Sequence, residues 1–521
     1  MESSNRRLSG VGALFFLASL GAIALYAQNQ VVPEEHDAIR TSATIVPEAV
    51  ETIKATTLPW RDRLDLASMK PTALPVAPGE AAKENGPGKG NAEAAAPTDA
   101  PPDLDKSLYV QDLGDGNQIR FTLDPVLQDS ALQIFRNREV PYAAAVILDV
   151  EDNAVLAMAG HSTMDPQVDP LEVLTTAWAP AASTFKVVTA ASLLAHKRAN
   201  ARTKACFSGG LQGITDEMLT DNNERDTRCA TLSAAVAHSH NLVIAKLALK
   251  HLGKGDLQET ARDLGFEREM PFEFPVEISP AHIPSDARER AKVAAGFWHV
   301  DMSPIHGAVL ASTIARGGIF QPPHLVAEVR NTDGSDLTPP LPKAERVLTK
   351  TAAREVGKMM VGTTKEGTAR KSFRDRAGIE FISGVDVAGK TGSLTGKRPP
   401  ALNYNWFIGF APAENPEIAF AVLIANEPKW RIKAHYAARR LIQIYLKRRS
   451  AIADHKRVRL GDEGLVYPGV AEATKVADAT PAPADTPEKV PDSPTPAEPA
   501  PESDTPELPP VPGPLPKPPA G

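Results

Sequence analysis

The sequence lacks several features that would place it in common classes of protein. Its 521 residues include only two cysteines, and no Cys-x-x-Cys or paired-histidine spacing surrounds them, so neither a structural zinc site nor another cofactor is expected. No run of lysine and arginine suggests a nucleic-acid interface, because 57 basic residues are set against 64 acidic ones. No internal repeat is visible.

The two cysteines, Cys206 and Cys229, admit two interpretations. An exported chain meets oxidising conditions, in which a pair of cysteines can persist as a disulfide. Such a bridge would stabilise the fold by about 3 kcal/mol if its effect is on chain entropy. The alternative is two separate buried thiols.

The N-terminal segment contains an uncharged stretch of 20 residues, Leu8 to Ala27. As a helix it would measure about 30 Å, enough to cross a bilayer. Two arginines precede it and should stay in the cytoplasm. Residues 1–7 are therefore predicted to be cytoplasmic and 8–27 to form an anchor in the inner membrane, with all later residues on the periplasmic or extracytoplasmic side. A cleaved signal peptide is the alternative, although the apolar run is long for one.

Composition divides the rest of the chain into three parts. Residues 28–117 are rich in Ala, Pro, Glu, Lys and Gly and lack aromatic and β-branched clusters, which predicts an extended linker. Residues 450–521 are predicted to be a disordered tail, since 16 prolines fall among the last 53 residues and cannot build a core. Residues 118–449 are left as one folded domain.

Within that domain the apolar periodicity alternates between strand and helix type. One hairpin is predicted from residues 143–150 and 154–160, and a second from 405–410 and 418–424. A basic amphipathic helix is predicted over 433–447, and the middle of the domain reads mainly as helices and loops. Strands at both ends around a helical middle favour an α+β fold, with an antiparallel sheet, helices packed on it, and a cleft between sheet and helices.

The segment Ser183-Thr184-Phe185-Lys186 heads a run of helical character. Residues i and i+3 share one face of a helix, so an uncharged Lys186 could take the proton of Ser183. Backbone N–H groups at the helix start also favour developing negative charge. A Ser and a Lys at this spacing are more often a helix cap and a solvated side chain.

Two further polar segments could complete a site. Ser239 and Asn241 place a hydroxyl and an amide two positions apart before an apolar run, where they could relay a proton and hold a substrate amide, or simply cap a helix.

The other segment, Lys390-Thr391-Gly392-Ser393, follows residues 385–389 as part of a probable strand. Strand alternation sends Lys390 one way and both Thr391 and Ser393 the other, while Gly392 would let a ligand backbone lie close. A cation and two hydroxyls there would suit a carboxylate, although a polar strand edge is the simpler alternative.

Taken in this order, the three segments resemble the serine-x-x-lysine, serine-x-asparagine and lysine-threonine-glycine motifs of penicillin-binding proteins and serine β-lactamases. Similar surroundings occur at 122–125, 362–369 and 406–412, and the match over about 118–449 is closer to a transpeptidase domain than to a β-lactamase. The resemblance implies a monofunctional protein without a glycosyltransferase domain, an antiparallel five-stranded sheet packed with helices, and a helical subdomain.

The resemblance also implies peptidoglycan stem peptides ending in D-Ala-D-Ala as substrate and β-lactams as covalent inhibitors. Ser183 would attack the penultimate carbonyl, and Lys186 would need to be uncharged, against a pKa of ~10.4 for free lysine. Ser239, between Lys186 and Lys390, would pass the proton to the departing D-alanine.

The implied roles of the remaining residues concern binding. Asn241 would hold the amide of the acyl donor, and Lys390, Thr391 and Ser393 would face its terminal carboxylate. The oxyanion would lie between the backbone N–H groups of Ser183 and Ser393.

Three functions remain open from the sequence. A D,D-transpeptidase that forms an acyl-serine intermediate is favoured, because outward anchoring on a long tether suits work on the wall. A D,D-carboxypeptidase or a class D-like β-lactamase is the enzymatic alternative. A non-catalytic cell-wall scaffold or β-lactam sensor, with other cell-wall synthesis proteins as partners, is the third.

The sequence departs from the family pattern at three places. Ala181-Ala182 stands where many relatives have Pro-Gly before the nucleophile, Ser393 replaces the commoner threonine, and Gly296 to His299 occupy a site usually built around two glycines. The first and third departures bear on substrate range and rate more than on the reaction itself.

Overall fold

The computed structural model describes residues 60–73, 103–210, 213–297, 299–396, 402–428, 430–461 and 464–466. The strands are β1 Lys70–Ala73, β2 Ser107–Asp112, β3 Gln118–Phe121, β4 Tyr142–Asp149, β5 Val155–Ser162, β6 Ala179–Pro180, β7 Lys204–Phe207, β8 Arg228–Thr231, β9 Asp301–Met302, β10 Ile319–Phe320, β11 Val326–Arg330, β12 Glu345–Arg346, β13 Ala388–Thr395, β14 Asn403–Ala411, β15 Ile418–Asn426, β16 Arg459–Gly461 and β17 Gly464–Val466. The α-helices are α1 Pro125–Arg136, α2 Pro170–Thr175, α3 Lys186–Ala195, α4 Asp216–Leu219, α5 Leu232–Ala237, α6 Asn241–His251, α7 Lys254–Asp263, α8 Ala287–Ala294, α9 Pro304–Ala315, α10 Lys350–Lys365, α11 Arg370–Phe373 and α12 Ala434–Arg457.

Strands from both ends of the predicted domain meet in one antiparallel sheet of order β13-β14-β15-β4-β5. The two predicted hairpins are the pairs β4–β5 and β14–β15, and β15 pairs with β4 to join them. Both hairpins, the five-stranded antiparallel sheet and the α+β class are therefore confirmed. The strand that carries Lys390 to Ser393, β13, lies at one edge of this sheet.

Helices cover both faces of the sheet, which explains why every residue of β15 is buried. Phe420 and Val422 belong to the same apolar cluster as Leu441 of α12. Ala421, on the opposite face, lies against Gly307 of α9. Successive residues of β15 thus face different helices, so its sequence is continuously apolar rather than alternating.

The folded part extends past the expected limits of 118 and 449 in both directions. β1 and β2 fall inside the predicted linker and belong to a second sheet of order β1-β2-β3-β11. α12 continues to Arg457, and the segment that follows it supplies Val458 and Leu460, which pack against Leu108 and Val110 of β2. Composition hid these strands because they are short and because Leu108 and Val110 of β2 pack against residues distant in sequence.

A buried ion pair ties α12 to the start of α1. Arg448 donates from Nε to Asp124 Oδ1 at 3.0 Å and from Nη2 to Asp124 Oδ2 at 2.8 Å, and both side chains are at least nine-tenths buried. Asp124 also caps α1 by accepting from the N–H of Leu127. Arg448 also pairs with the exposed carboxylate of Asp105, so the more costly change is the removal of Arg448, which would leave the buried Asp124 without its guanidinium partner.

Cys206 and Cys229 form a disulfide. The two residues lie opposite each other in the antiparallel pair β7–β8, with Cα atoms 3.9 Å apart. Of the two interpretations left by the sequence, the bridge is confirmed.

No helix in the described ranges is both long and apolar enough to cross a bilayer. The predicted anchor at 8–27 and most of the predicted tail, residues 467–521, lie outside the described residues. Both stay predictions.

Candidate active site

Ser183 lies in a 3-10 turn, Ala182–Phe185, that continues without a break into α3. This geometry brings the Nζ of Lys186 to 2.6 Å from the Oγ of Ser183. The same nitrogen donates to the carbonyl oxygen of Ala295 at 2.5 Å. The amine is therefore held in hydrogen-bond contact with the hydroxyl, as the i, i+3 spacing predicts.

Residues distant in sequence hold this turn in place. The N–H of Ala181 donates to the carbonyl of Val300 at 2.9 Å, and the indole Nε1 of Trp406 donates to the carbonyl of Pro180 at 2.9 Å. Gly296 passes so close that a Cβ there would lie 2.2 Å from the carbonyl oxygen of Ala182. The nucleophile turn, Ala182–Phe185, is thus held between β14 and the segment after α8.

Two lysines of the site are fully buried, and burial lowers the pKa of both. Burial, and secondarily the charge of Lys390, holds the pKa of Lys186 well below that of free lysine. Burial alone lowers the pKa of Lys390 to about 7. An uncharged Lys186 has a lone pair with which to accept the proton of Ser183.

A second hydroxyl–amine pair stands beside the first. The Nζ of Lys390 lies 3.0 Å from the Oγ of Ser239 and donates to the carbonyl of Thr391 at 2.9 Å. Ser239 sits between α5 and α6 with φ of +57°, a left-handed conformation that is uncommon for a residue with a side chain. Since the charge of Lys390 acts on the pKa of Lys186, the two pairs belong to one site.

A cleft of about 270 Å³ opens beside Ser183. Among the predicted site residues, Ser183, Asn241 and Ser393 line it directly. Asn241 is the first residue of α6, and its Nδ2 donates to the carbonyl of Gly210 at 3.1 Å. The full lining is Ser183, Asn241, Ala295, Gly296, Phe297, Ser393, Leu394, Thr395, Asn403, Tyr404 and Trp430.

The side chains of β13 do not all face the cleft. Ser393 is exposed and accepts from the Nδ2 of Asn405 at 3.0 Å, whereas Thr391 is buried with its Oγ1 2.6 Å from that of Thr368. A Cβ on Gly392 would lie 3.1 Å from the Cγ2 of Thr184, which precedes α3. The small residue at 392 thus accommodates the nucleophile turn, in addition to any ligand.

A family model described as the penicillin binding protein transpeptidase domain matches residues 143–443, more than half of the chain. The chain belongs to the penicillin-binding protein transpeptidase family. A peptidoglycan D,D-transpeptidase PbpA of Mycolicibacterium smegmatis is 26% identical in an alignment of 346 residues that covers 60% of this chain and 68% of that protein. The PbpA of Mycobacterium tuberculosis (strain CDC 1551 / Oshkosh) is 25% identical in an alignment of 363 residues that covers 62% of this chain and 72% of that one.

Solved structures of transpeptidases share the fold. The D,D-transpeptidase domain of a peptidoglycan glycosyltransferase from Eggerthella lenta superposes with a TM-score of 0.53 at 25% identity, covering 64% of this chain and 84% of that one. PBPA from Mycobacterium tuberculosis gives a TM-score of 0.53 at 23% identity, covering 63% of this chain and 82% of that one.

The structure gives a reason for one departure from the transpeptidase pattern. Ala182, which stands where many members of the family have glycine, has φ of +49°. Glycine adopts this left-handed conformation freely, whereas alanine adopts it at a cost. The alanine is accommodated because the turn around it is fixed by the contacts of Ala181 and Gly296.

Sequence reasoning did not find several residues of this transpeptidase site. The carbonyl of Ala295 holds Lys186, but a backbone oxygen leaves no signal in the sequence. Thr368 was visible only as part of the family pattern and had no role until its contact with Thr391 was seen. Tyr404 and Trp430 reach the cleft from beyond the motifs. In the described ranges no three or more His, Cys, Asp or Glu side chains are arranged to hold a metal ion.

Proposed function

We propose that this chain is a penicillin-binding serine D,D-transpeptidase that cross-links peptidoglycan stem peptides through an acyl-serine intermediate. One observation carries the proposal: the fully buried Lys186 places its Nζ 2.6 Å from the Oγ of Ser183, at the edge of an open cleft. The PbpA relatives, which are peptidoglycan D,D-transpeptidases, support the same reaction.

Acylation begins when Ser183 attacks the penultimate carbonyl of a stem peptide that ends in D-Ala-D-Ala. Lys186, kept uncharged by burial, takes the hydroxyl proton. The oxyanion accepts hydrogen bonds from the backbone N–H groups of Ser183 and Ser393. Each such donor contributes about 3 kcal/mol of transition-state stabilisation.

The departing D-alanine needs a proton on its nitrogen. Ser239 supplies it and is replenished from the lysine pair, since its Oγ contacts the Nζ of Lys390. The amine of a neighbouring stem peptide then attacks the acyl-serine, which forms the cross-link and frees Ser183. Water in place of that amine would give a carboxypeptidase.

Substrate binding is assigned to the lining of the cleft. Asn241 holds the amide of the acyl donor, and Ser393, exposed on β13, faces its terminal carboxylate. Lys390 and Thr391 do not line the cleft. Lys390 supplies positive charge near it, and Thr391 is held in place by its contact with Thr368.

The site is proposed to work on the outer side of the inner membrane. Residues 8–27 would form the single anchor, and the positively charged pair before them would stay cytoplasmic. The substrate of the cleft, peptidoglycan, lies on that outer side, where other cell-wall synthesis proteins would be the partners.

A fluorescent penicillin tests the proposal. It should label the wild-type protein and not Ser183→Ala, while Ser192→Ala, farther along α3, should label like the wild type. Label that survives in Ser183→Ala would refute the assignment of the nucleophile. Removing residues 469–521 should leave labelling unchanged, because those residues lie outside the matched domain.

Mass spectrometry with a stem-peptide mimic and an amine acceptor separates the related reactions. A cross-linked product supports the transpeptidase. Release of D-alanine without a cross-link would indicate a carboxypeptidase. In a separate sample treated with penicillin, loss of the penicilloyl group from the protein within seconds would indicate a β-lactamase.

A further inference from the structure

A disulfide-closed hairpin lies beside the segment that carries Ser239 and Asn241. This disulfide hairpin consists of β7 (Lys204–Phe207) and β8 (Arg228–Thr231), joined by Cys206–Cys229. Nothing in the proposed reaction uses it.

The hairpin contacts His240, the residue between Ser239 and Asn241. Phe207, directly after Cys206, is buried and its ring centroid lies 5.1 Å from that of His240. The guanidinium of Arg228, directly before Cys229, lies 5.0 Å from the centroid of the same phenyl ring. The two ends of the disulfide are therefore connected to His240 through one aromatic ring.

The hairpin also orients the side chain of Asn241. Gly210, three residues beyond Phe207, accepts the hydrogen bond from the Nδ2 of Asn241 at 3.1 Å. A carbonyl oxygen only accepts hydrogen bonds, so the amide must turn its NH₂ group toward Gly210. The Oδ1 of Asn241 is thereby left as an acceptor for an N–H group bound in the cleft.

The local sequence does not fix this orientation by itself. His240 is the N-cap of α6 but makes no side-chain capping bond, and Ser239 before it has φ of +57°. A residue keeps such a conformation only where its surroundings hold it. The contacts of the disulfide hairpin and of Gly210 with His240 and Asn241 are one part of those surroundings, and the Nζ of Lys390, 3.0 Å from the Oγ of Ser239, is another.

We propose that Phe207 and His240 are positioning residues of the acylation step, and that the Cys206–Cys229 disulfide makes this step sensitive to reduction. The inference rests on the proposed function, because it concerns how Ser239 and Asn241 are held for it. Cys229 is exposed and Cys206 partly exposed, so a thiol reductant can reach the bond.

Reduction need not unfold the region. Dithiothreitol would convert the disulfide to two thiols and become its own cyclic disulfide, which balances two electrons and two protons. The segment between β7 and β8 stays attached to α6 through Lys246, whose Nζ lies 2.5 Å from Asp226 and 3.1 Å from Asp221. The change would be a loosening of Phe207 and Gly210 rather than loss of the fold.

The test measures the rate constant of acylation at saturating fluorescent penicillin, together with the final labelled fraction, for the full chain with and without dithiothreitol. Reduction should lower the rate constant by about tenfold to a hundredfold, the range expected from displacing a reacting group by an ångström or less. All of the protein should still become labelled in the end. This separation distinguishes positioning from mere destabilisation, which would lower the labelled fraction instead.

Two variants of the hairpin test the inference further, and a third is the control. Cys206→Ser/Cys229→Ser should show the lowered rate and no response to dithiothreitol, and Phe207→Ala should show a similar loss with its disulfide intact. Lys204→Gln, at an exposed position of the same hairpin, should behave as wild type.

An unchanged rate constant in both reduced wild type and Phe207→Ala would overturn this inference alone. A fall in labelled fraction at an unchanged rate constant would do the same, since it would show a structural role only. If the untreated wild type took no label at all, the proposed function would fail together with it.

Discussion

Replacing Gly296 with alanine should disturb the nucleophile more than any change of similar size elsewhere. Gly296 has φ of +89°, and an added Cβ would lie 2.2 Å from the carbonyl oxygen of Ala182, 2.6 Å from its carbonyl carbon and 2.9 Å from the nitrogen of Ser183. All three atoms belong to the backbone, so no side chain can swing aside to make room.

The expected magnitude has two parts. The left-handed conformation costs alanine about 1–2 kcal/mol, and overpacking a tight site typically costs about 1–3 kcal/mol, so the free energy of unfolding should fall by roughly 2–5 kcal/mol. To relieve the contact, the backbone at Ala182 and Ser183 must move by roughly 1 Å, and a misplacement of that size can lower a reaction rate by about 10²-fold. The acylation rate of Gly296→Ala should therefore fall by about that factor.

The assay is the rate of labelling by fluorescent penicillin, with urea unfolding measured in parallel. Gly255→Ala is the matched control, because Gly255 lies in α7 with no other atom within 4 Å of an added Cβ. That variant should keep the wild-type rate and gain up to about 1 kcal/mol in stability from better helix propensity. A wild-type rate in Gly296→Ala would show that the close backbone approach does not fix the nucleophile.

Three other changes give separable results. Lys390→Met should shift the pH profile of acylation to higher pH, because the charge of Lys390 helps to lower the pKa of Lys186. In the wild type, Lys390 has a pKa of about 7 when folded and ~10.4 when unfolded, so between these values the unfolded chain binds more protons and the unfolding free energy rises with pH. Lys390→Met should flatten that rise. Arg448→Leu should lower the unfolding free energy in urea by about 3–5 kcal/mol, whereas the exposed Arg449→Leu should change it by less than about 1 kcal/mol; equal losses would contradict the burial argument. Ala182→Gly should raise the melting temperature slightly by relieving a left-handed alanine, and a lower value would mean that the entropy cost of glycine outweighs that relief.

Periodicity was sufficient for the main sheet because its strands are long and apolar. The runs that became β4, β5, β14 and β15 were each visible in the sequence, together with the turn residues between them. The second sheet was not visible. β1 and β2 are short segments in an Ala- and Pro-rich region. Their sheet continues through β3 to β11, more than two hundred residues further along the chain, and Leu108 and Val110 of β2 pack on residues beyond α12.

The candidate site shows the same division. Ser183 and Lys186 are three residues apart, so helical geometry alone brings them together. The contact between Ser239 and Lys390 joins residues 151 positions apart, and only the resemblance to a family suggested it before the structure did.

The sequence by itself determined the order of the motifs, the class of the fold and the spacing of the first serine–lysine pair, and it left the pairing of the two cysteines open. Those properties depend on neighbours along the chain or on composition. The tertiary structure decided the charge of both lysines, the clamping of Ala182 by Gly296, the orientation of Asn241 by Gly210, and the disulfide. Burial and close approach are properties of the packed molecule, and they arise only when segments distant in sequence exclude water from the same place.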